Sequence, residues 1–354
     1  MRLIGVDENG YGPLLGPLVV TAVSVTSPSA FLNSSGFLTE EVPDLWLLLN
    51  LEKQPGETPF VCDSKLVFGN SRKRARSAED MVLGFFYLSE GYIPETADEF
   101  LDRILANPVL NVQFPCLDKG LPKGEIAFCW ETDIPLNLSQ DRSRKIMDLA
   151  AELKEKANGA GVSLERVRSL VVCPSLFNRA LKSGGKNKSD LVVEAGLNLV
   201  RQSLDGEPFW ASLGKVGGMR YYFPMLSLTF GAEHSVVKVR EDKKISSYFI
   251  EGLSQNKTNY LPEMTTPNVG LDTVGKISYL EDGEDSSFLI ALASLFGKYV
   301  RELFWQKAQA HLRKYKDFPT VSGYRDALTK RYVKEAMGLC KELGIPEECF
   351  LRCK

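Results

Sequence analysis

The sequence predicts an α/β fold, a sheet with helices packed on it. Two observations predict it. Short β-branched runs alternate with amphipathic runs of helical length over most of the chain, and no internal repeat or low-complexity tract interrupts them. The composition agrees: 44% of the 354 residues are hydrophobic and 25% charged, which favours a packed globular chain over a disordered one.

Arg2 to Asp7 reads as a short buried strand, after which Gly10, Gly12 and Gly16 punctuate a turn. Pro17 to Thr26 is rich in β-branched residues and forms the second strand, a hairpin-like entry to the sheet. Ser71 to Glu90 is charged and then amphipathic, a helix ending at Gly91. The prolines of Pro94 to Gly124 suggest an irregular connection or insertion, followed by a strand at Glu125–Trp130. A helix over Asp141–Ala157 has Gly159 just past its end.

Ser169 to Cys173 is a strand leading towards a helix over Ser189–Leu204 with Ser189 as its N-cap. Phe209 to Leu213 is the next strand, with Gly214 to Gly218 as a turn, and Tyr221–Phe230 and Ser235–Arg240 read as two more. Gln255 to Gly275 is polar and threonine-rich, hence a loop. Ser286 to Arg313 is a long helix with an apolar stripe through Phe288, Leu292, Leu295, Tyr299 and Leu303. Arg325 to Leu343 is another, closed by Gly344 and Pro346.

Several functional classes lose ground on composition. The formal net charge of −2 counts mildly against a nucleic-acid binder, although a groove needs only a local basic stripe. Seven scattered cysteines without a C-x-x-C pair read as free thiols in a reducing compartment. The two histidines, His234 and His311, are not at zinc-ligand spacing from any cysteine. Met1 runs straight into an apolar stretch without a leader pattern, and no uncharged stretch approaches membrane-spanning length. Cytoplasmic residence is the default expectation, with no membrane partner, and a monomer is expected.

The sharpest local feature is Gly5-Val6-Asp7-Glu8-Asn9-Gly10-Tyr11-Gly12-Pro13 at the end of the first strand. Adjacent carboxylates beside a buried strand are costly unless a cation neutralises them, and a divalent ion with oxygen preference does so. The flanking glycines let backbone N–H groups approach an anion. The plainer reading is a solvated turn with two incidental acids. A nucleotide-binding P-loop is not supported, because G-x-x-x-x-G-K-[ST] occurs nowhere.

Gly5 to Ala22 closely resembles the opening of the type 2 ribonuclease H (ribonuclease HII) family. Three further segments resemble that family in its own order: Asp63-Ser64-Lys65-Leu66 with the basic stretch after it, Ala293 to Glu302, and Pro319 to Tyr324. The resemblance implies a ribonuclease H-like mixed sheet flanked by helices, in a divergent and longer member. It places residues 1–313 in a catalytic domain with an insertion around 92–160, and 314–354 in a helical C-terminal extension.

The activity implied is hydrolysis of the RNA strand of RNA/DNA hybrids, or at embedded ribonucleotides, with Mg²⁺ or Mn²⁺. Asp7 and Glu8 match the first two family acids. For the acid before the long helix, ungapped counting selects Glu284, whereas Asp285 keeps the residue type; capping of the helix start is the bland alternative for both. After the strand Phe209–Leu213 the family has an aspartate and this chain has Gly214. That departure leaves open altered metal use, low activity, or hybrid binding without cleavage.

For substrate binding the resemblance implies Gly10, Tyr11 and Gly12, whose backbone would read the ribose 2′-hydroxyl, with Tyr11 where the family has arginine. It also implies Lys65, Ser294, Lys298 and Tyr324. The last of these resembles a tyrosine that stacks on a sugar, against the alternative of a turn tyrosine packed on the core. Arg301 is as well explained by a solvated charged face. The basic loop Lys182–Lys188 and the cluster Arg72–Arg76 are candidate duplex contacts, although solvation is the commoner explanation of such loops. A phosphate-handling transferase is the remaining alternative, disfavoured by the missing P-loop.

Overall fold

β1 (Arg2–Asn9) lies at the centre of a sheet and is buried on both faces, which its continuous apolar run Leu3–Val6 requires. A computed structural model describes residues 1–27, 43–56, 59–68, 71–106, 132–183, 185–217, 219–252 and 273–353 of the chain. Within them β1 pairs antiparallel with β2 (Leu18–Thr26) on one side and parallel with β4 (Phe209–Gly214) on the other. β2 pairs antiparallel with β3 (Ser163–Val172), and β4 runs parallel to β7 (Thr273–Leu280). β6 (Ile245–Gly252) and β5 (His234–Glu241) complete the far side, both pairings antiparallel.

The result is a mixed seven-stranded sheet of order β3-β2-β1-β4-β7-β6-β5, flanked by helices. The parallel strands β1, β4 and β7 end on the same edge, and a crevice at such carboxyl ends is the usual ligand position in α/β sheets.

One face is covered by α1 (Arg72–Glu90), α2 (Ala97–Ile104), α3 (Gln140–Gly159) and the first half of the long α7 (Phe288–Arg313). Phe86, Phe100, Leu292, Phe296 and Tyr299 are part of that core. The other face is covered by α4 (Pro174–Ser183), α5 (Lys188–Gln202) and α6 (Phe223–Phe230), through Phe177, Val193, Leu197 and Leu226 among others. A third cluster joins Trp305 and Leu312 of α7 to Tyr332 of α8 (Ala327–Glu342) and to Phe350 in the short turn Glu347–Phe350. Gly5 allows α7 its close approach to β1: a Cβ there would stand 2.2 Å from the carbonyl carbon of Leu289.

Several elements differ from the sequence expectation. Phe223–Phe230 is a helix instead of a strand. Pro224 suits a first helical turn, and Leu226 and Phe230 are buried one turn apart. α5 starts one residue early, because Asn187 and Asp190 form a capping box and Ser189 is not the cap. The loop expected up to Gly275 gives way to β7 from Thr273, while its earlier residues 255–272 lie outside the described ones. α2, α4 and β6 had no counterpart in the reading. The proposed strand Glu125–Trp130 and most of the Pro94–Gly124 connection fall outside the described residues, as do Cys116 and Cys129. Cys62, Cys340 and Cys353 are free thiols. No helix among the described residues is long and apolar enough to cross a membrane.

Candidate active site

The alternation of β1 sends Asp7 towards α7 and Glu8 towards the opposite layer, both at the strand's carboxyl end. Here a cleft of about 840 Å³ opens. Asp7, Glu8, Asn9 and the turn Gly10-Tyr11-Gly12 line it from β1, and Gly214 and Lys215 from β4. Leu280, Asp282, Gly283 and Glu284 line it from the end of β7, Ser64 and Lys65 from the opposite side, and Glu79, Ser294, Lys298, Glu302 and Tyr324 are among the other lining residues.

Asp7 is 6% exposed. Burial holds its carboxyl well above the usual carboxylate range, and the charges of Glu8 and Glu284 push it further up, against a hydrogen bond from Ser294. Asn9 braces the same corner, donating from Nδ2 to Asp7 Oδ2 at 3.4 Å and to the Ser294 carbonyl at 3.1 Å. Glu8 is pushed up to about 7, by burial first and by Glu284 second. Glu284 thus stands close enough to raise the proton affinity of both Asp7 and Glu8. That is the electrostatic mark of a site short of positive charge.

Lys65 faces these acids and pulls Glu8 back down. It sits in a one-turn 3-10 helix, Ser64–Leu66, capped by Asp63, whose side chain accepts from the Lys65 N–H. Ser64 fixes the turn to α7 through a 3.0 Å hydrogen bond between its hydroxyl and that of Ser294. Lys65 Nζ stands 3.3 Å from Glu284 Oε1 and 3.5 Å from Asp63 Oδ2. Burial pulls its pKa down, but Glu284 and Asp63 outweigh this and hold it above the ordinary lysine value.

The acid before the long helix is presented by a sharp bend. Asp282 adopts a left-handed conformation (φ 50°), which aspartate tolerates better than most residues, and the turn Gly283–Ser286 follows. Glu284 emerges into the cleft with its side chain 18% exposed, whereas Asp285 is exposed and is not among the residues lining it. The helix cap is neither of them: Ser287 caps α7, accepting from Ile290 N–H.

The glycine turn is held from several sides. Gly10 has φ +91°, and a Cβ there would stand 2.6 Å from the Pro17 carbonyl oxygen. Tyr11 shares a 3.1 Å hydrogen bond with the Ser189 hydroxyl. Arg301 is fully buried instead of lying on a solvated face, and donates to the Leu15 carbonyl at 3.2 Å. Lys298 and Arg301 both pair with Glu302, at 2.7 and 3.1 Å. Tyr324 is 45% exposed at the cleft wall, its ring 5.9 Å from Lys298 Nζ.

Gly214 leaves room. A Cβ built on it would meet only Asp7 Oδ1, at 3.4 Å. Among the described residues no group of three or more His, Cys, Asp or Glu side chains is arranged to hold a metal ion. The acids do fit a looser kind of site. Mg²⁺ in phosphoryl-transfer centres is held by one or two carboxylates, with waters and substrate phosphate as its other ligands.

Sequence reasoning missed two cleft residues, Asp282 and Lys215, and one brace, Arg352, which donates to the Gly10 and Tyr11 carbonyls. Asp282 and Lys215 adjoin recognised positions, so their signal was adjacency. Arg352 carried none.

No family model matches the chain, and no curated protein matches it. Among solved structures, RNase HII of Archaeoglobus fulgidus, seen in a complex with PCNA, overlies it at 15% identity over 100% of this chain and 95% of that one, with a TM-score of 0.37. Ribonuclease H2 from Pyrococcus horikoshii does so at 13% identity over 99% and 92%, with a TM-score of 0.38. Bst-RNase HIII in complex with Mn²⁺ does so at 12% identity over 99% of this chain and 66% of that one, with a TM-score of 0.38. Overlaps at these TM-scores decide neither family nor activity.

Proposed function

We propose that the chain is a ribonuclease H-like endoribonuclease, dependent on Mg²⁺ or Mn²⁺, acting on the RNA strand of RNA/DNA hybrids or on ribonucleotides embedded in a duplex. The observation that carries this reading is the meeting of Asp7, Glu8 and Glu284 in one cleft, from distant parts of the sequence, with Lys65 beside them. A divalent ion in such a site supplies activation of a water and stabilisation of the departing oxygen. One or two of Asp7, Glu8 and Glu284 would hold it; Asp285 is the weaker candidate on its exposure.

The chain's own groups have separable tasks. Asn9 and Ser294 orient the Asp7 carboxylate. Lys65 offsets Glu284 and lies where it can meet a phosphate. Gly10, Tyr11 and Gly12 present backbone to a ribose, and Tyr324 offers a ring for a sugar. The exposed cluster Arg72–Arg74 begins α1, whose Ala75 lines the same cleft, so it extends the contact along a duplex backbone. Cytoplasmic residence and monomeric action complete the reading.

The test is cleavage of an end-labelled RNA/DNA hybrid in Mg²⁺ or Mn²⁺, with cleavage lost in Asp7→Asn. Gly214 favours a second reading, a protein on the same fold that binds hybrids without cutting them. Binding with no cleavage in either metal would select it.

A further inference from the structure

Several buried or half-buried cations among the described residues have a carboxylate partner. Arg142 pairs with Glu79 and Asp80, Lys307 with Asp98, and Lys298 and Arg301 with Glu302. One cluster of cations has no such partner, and it lies against the Tyr11 turn. Arg352 is 3% exposed, its guanidinium carbon 4.1 Å from the Phe177 ring centroid. It donates to the carbonyls of Gly10 and Tyr11, and its Nε has no partner. Lys188 Nζ stands 5.8 Å from the same Phe177 ring and 6.0 Å from the Tyr11 ring. Arg325, exposed and adjoining Tyr324 in the sequence, lies close enough for its charge to act on both Lys188 and Arg352. Among the described residues no carboxylate pairs with any of the three.

We propose that Lys188, Arg325 and Arg352 form a cradle for a phosphate group beside the Tyr11 turn, which on the nuclease reading is a backbone phosphodiester of the bound strand. The guanidinium of Arg352 is engaged by two carbonyls, so it contributes fixed charge instead of a bidentate grip. The mobile contacts fall to Lys188 and Arg325. Like charges gathered without a counter-charge are costly in a partly buried place, and a bound anion relieves the cost. The protonation behaviour agrees. Arg352 is pulled down to about 9 by burial, then by Arg301 and Arg325, and Lys188 is pulled down by burial, then by Arg352 and Arg325.

The site adjoins the cleft through two of its walls, since Tyr11 and Tyr324 both line it. A strand reaching Asp7 would therefore place a neighbouring phosphate over Lys188 and Arg325. The basic loop noted in the sequence thus contributes Lys188, at the start of α5, while its Lys186 pairs with Glu194.

Fluorescence anisotropy with a labelled RNA/DNA hybrid, at several salt concentrations and without divalent ions, tests this on the full chain. Each lost phosphate contact flattens the slope of log affinity against log salt by roughly 0.7–0.9. Lys188→Gln and Arg325→Gln are expected to flatten it by that amount each, while melting at the wild-type temperature. A second arm uses inorganic phosphate alone, expected to raise the wild-type melting temperature but not that of Lys188→Gln. Unchanged slopes with the hybrid still bound would overturn the cradle and leave the nuclease reading standing. Lys188-dependent stabilisation by phosphate, with no hybrid binding by the wild type, would support the cradle and remove the nuclease reading. Failure of both arms in the wild type overturns both.

Discussion

Lys65 and Glu284 are 219 residues apart in the chain and 3.3 Å apart in the fold. This contact distinguishes Glu284 from its neighbour, because Asp285 is exposed outside the cleft. Glu284→Gln is accordingly expected to lower hybrid cleavage by about 10²–10³-fold, the usual loss when one preorganised electrostatic group is removed. Asp285→Asn should stay within about twofold of wild type. Equal losses in single-turnover cleavage of the two variants would reverse the assignment.

Asp7→Asn separates chemistry from stability. Cleavage should fall at least as far as in Glu284→Gln. The metal-free variant should melt higher than wild type, because a buried carboxylate crowded by Glu8 and Glu284 becomes neutral. A lower melting temperature in metal-free buffer would contradict the electrostatic account of the site.

Metal-free stability should also depend on pH in a defined direction. Glu8 has a folded pKa of about 7 against an ordinary 4.5, so the folded chain holds this proton more tightly than the unfolded one. The associated stability is present below about 4.5 and is lost as pH rises to about 7. Thermal melts across that window should decline in wild type and flatten in Glu8→Gln. Saturating Mg²⁺ should remove much of the decline if the carboxylates bind it.

Gly214→Asp tests the space beside Asp7. Its Cβ is accommodated at 3.4 Å from Asp7 Oδ1, so the variant should fold, with a lower melting temperature in metal-free buffer from one more crowded carboxylate. Added Mn²⁺ should stabilise it more than wild type, and hybrid cleavage should rise. Mn²⁺ shifts that match wild type would show that this position gives no ligand.

Gly5→Ala addresses the scaffold. A methyl group 2.2 Å from the backbone of Leu289 cannot be absorbed by a side-chain rotation, so α7 must move off β1. A loss of at least about 1–3 kcal/mol in chemical denaturation is expected, as in other overpacked cores. Cleavage should drop with it, since Ser294 rides on the same helix.

Legibility in the sequence followed the reach of the determining interaction. α1 was readable because its signals are local: Ser71 caps Arg74 N–H, and Gly91 ends the helix at φ 80°. β1 and its acids were readable for the same reason. Phe223–Phe230 misled because an apolar octet without charges fits strand and helix alike, and Tyr222 packing on Tyr279 at 3.6 Å is a tertiary fact. β7 was missed under a polar stretch that seemed to continue into it. The site split likewise: Asp7 and Glu8 were visible as neighbours, whereas Arg352 acquires meaning only through contacts with Gly10 and Tyr11 near the other end of the chain.

The pairing of β1 with β4, Arg2 beside Phe209, bears on the order in which the molecule can assemble during synthesis. The first strand emerges from the ribosome long before β4 and β7, and its early partner β2 can only form a hairpin with it. Glu284, α7 and Arg352 arrive later than all of these strands. Non-local pairing of this kind slows folding and favours late completion. A nascent chain therefore carries Asp7 and Glu8 without the third acid until Glu284 has been made, and the cleft cannot be built before then.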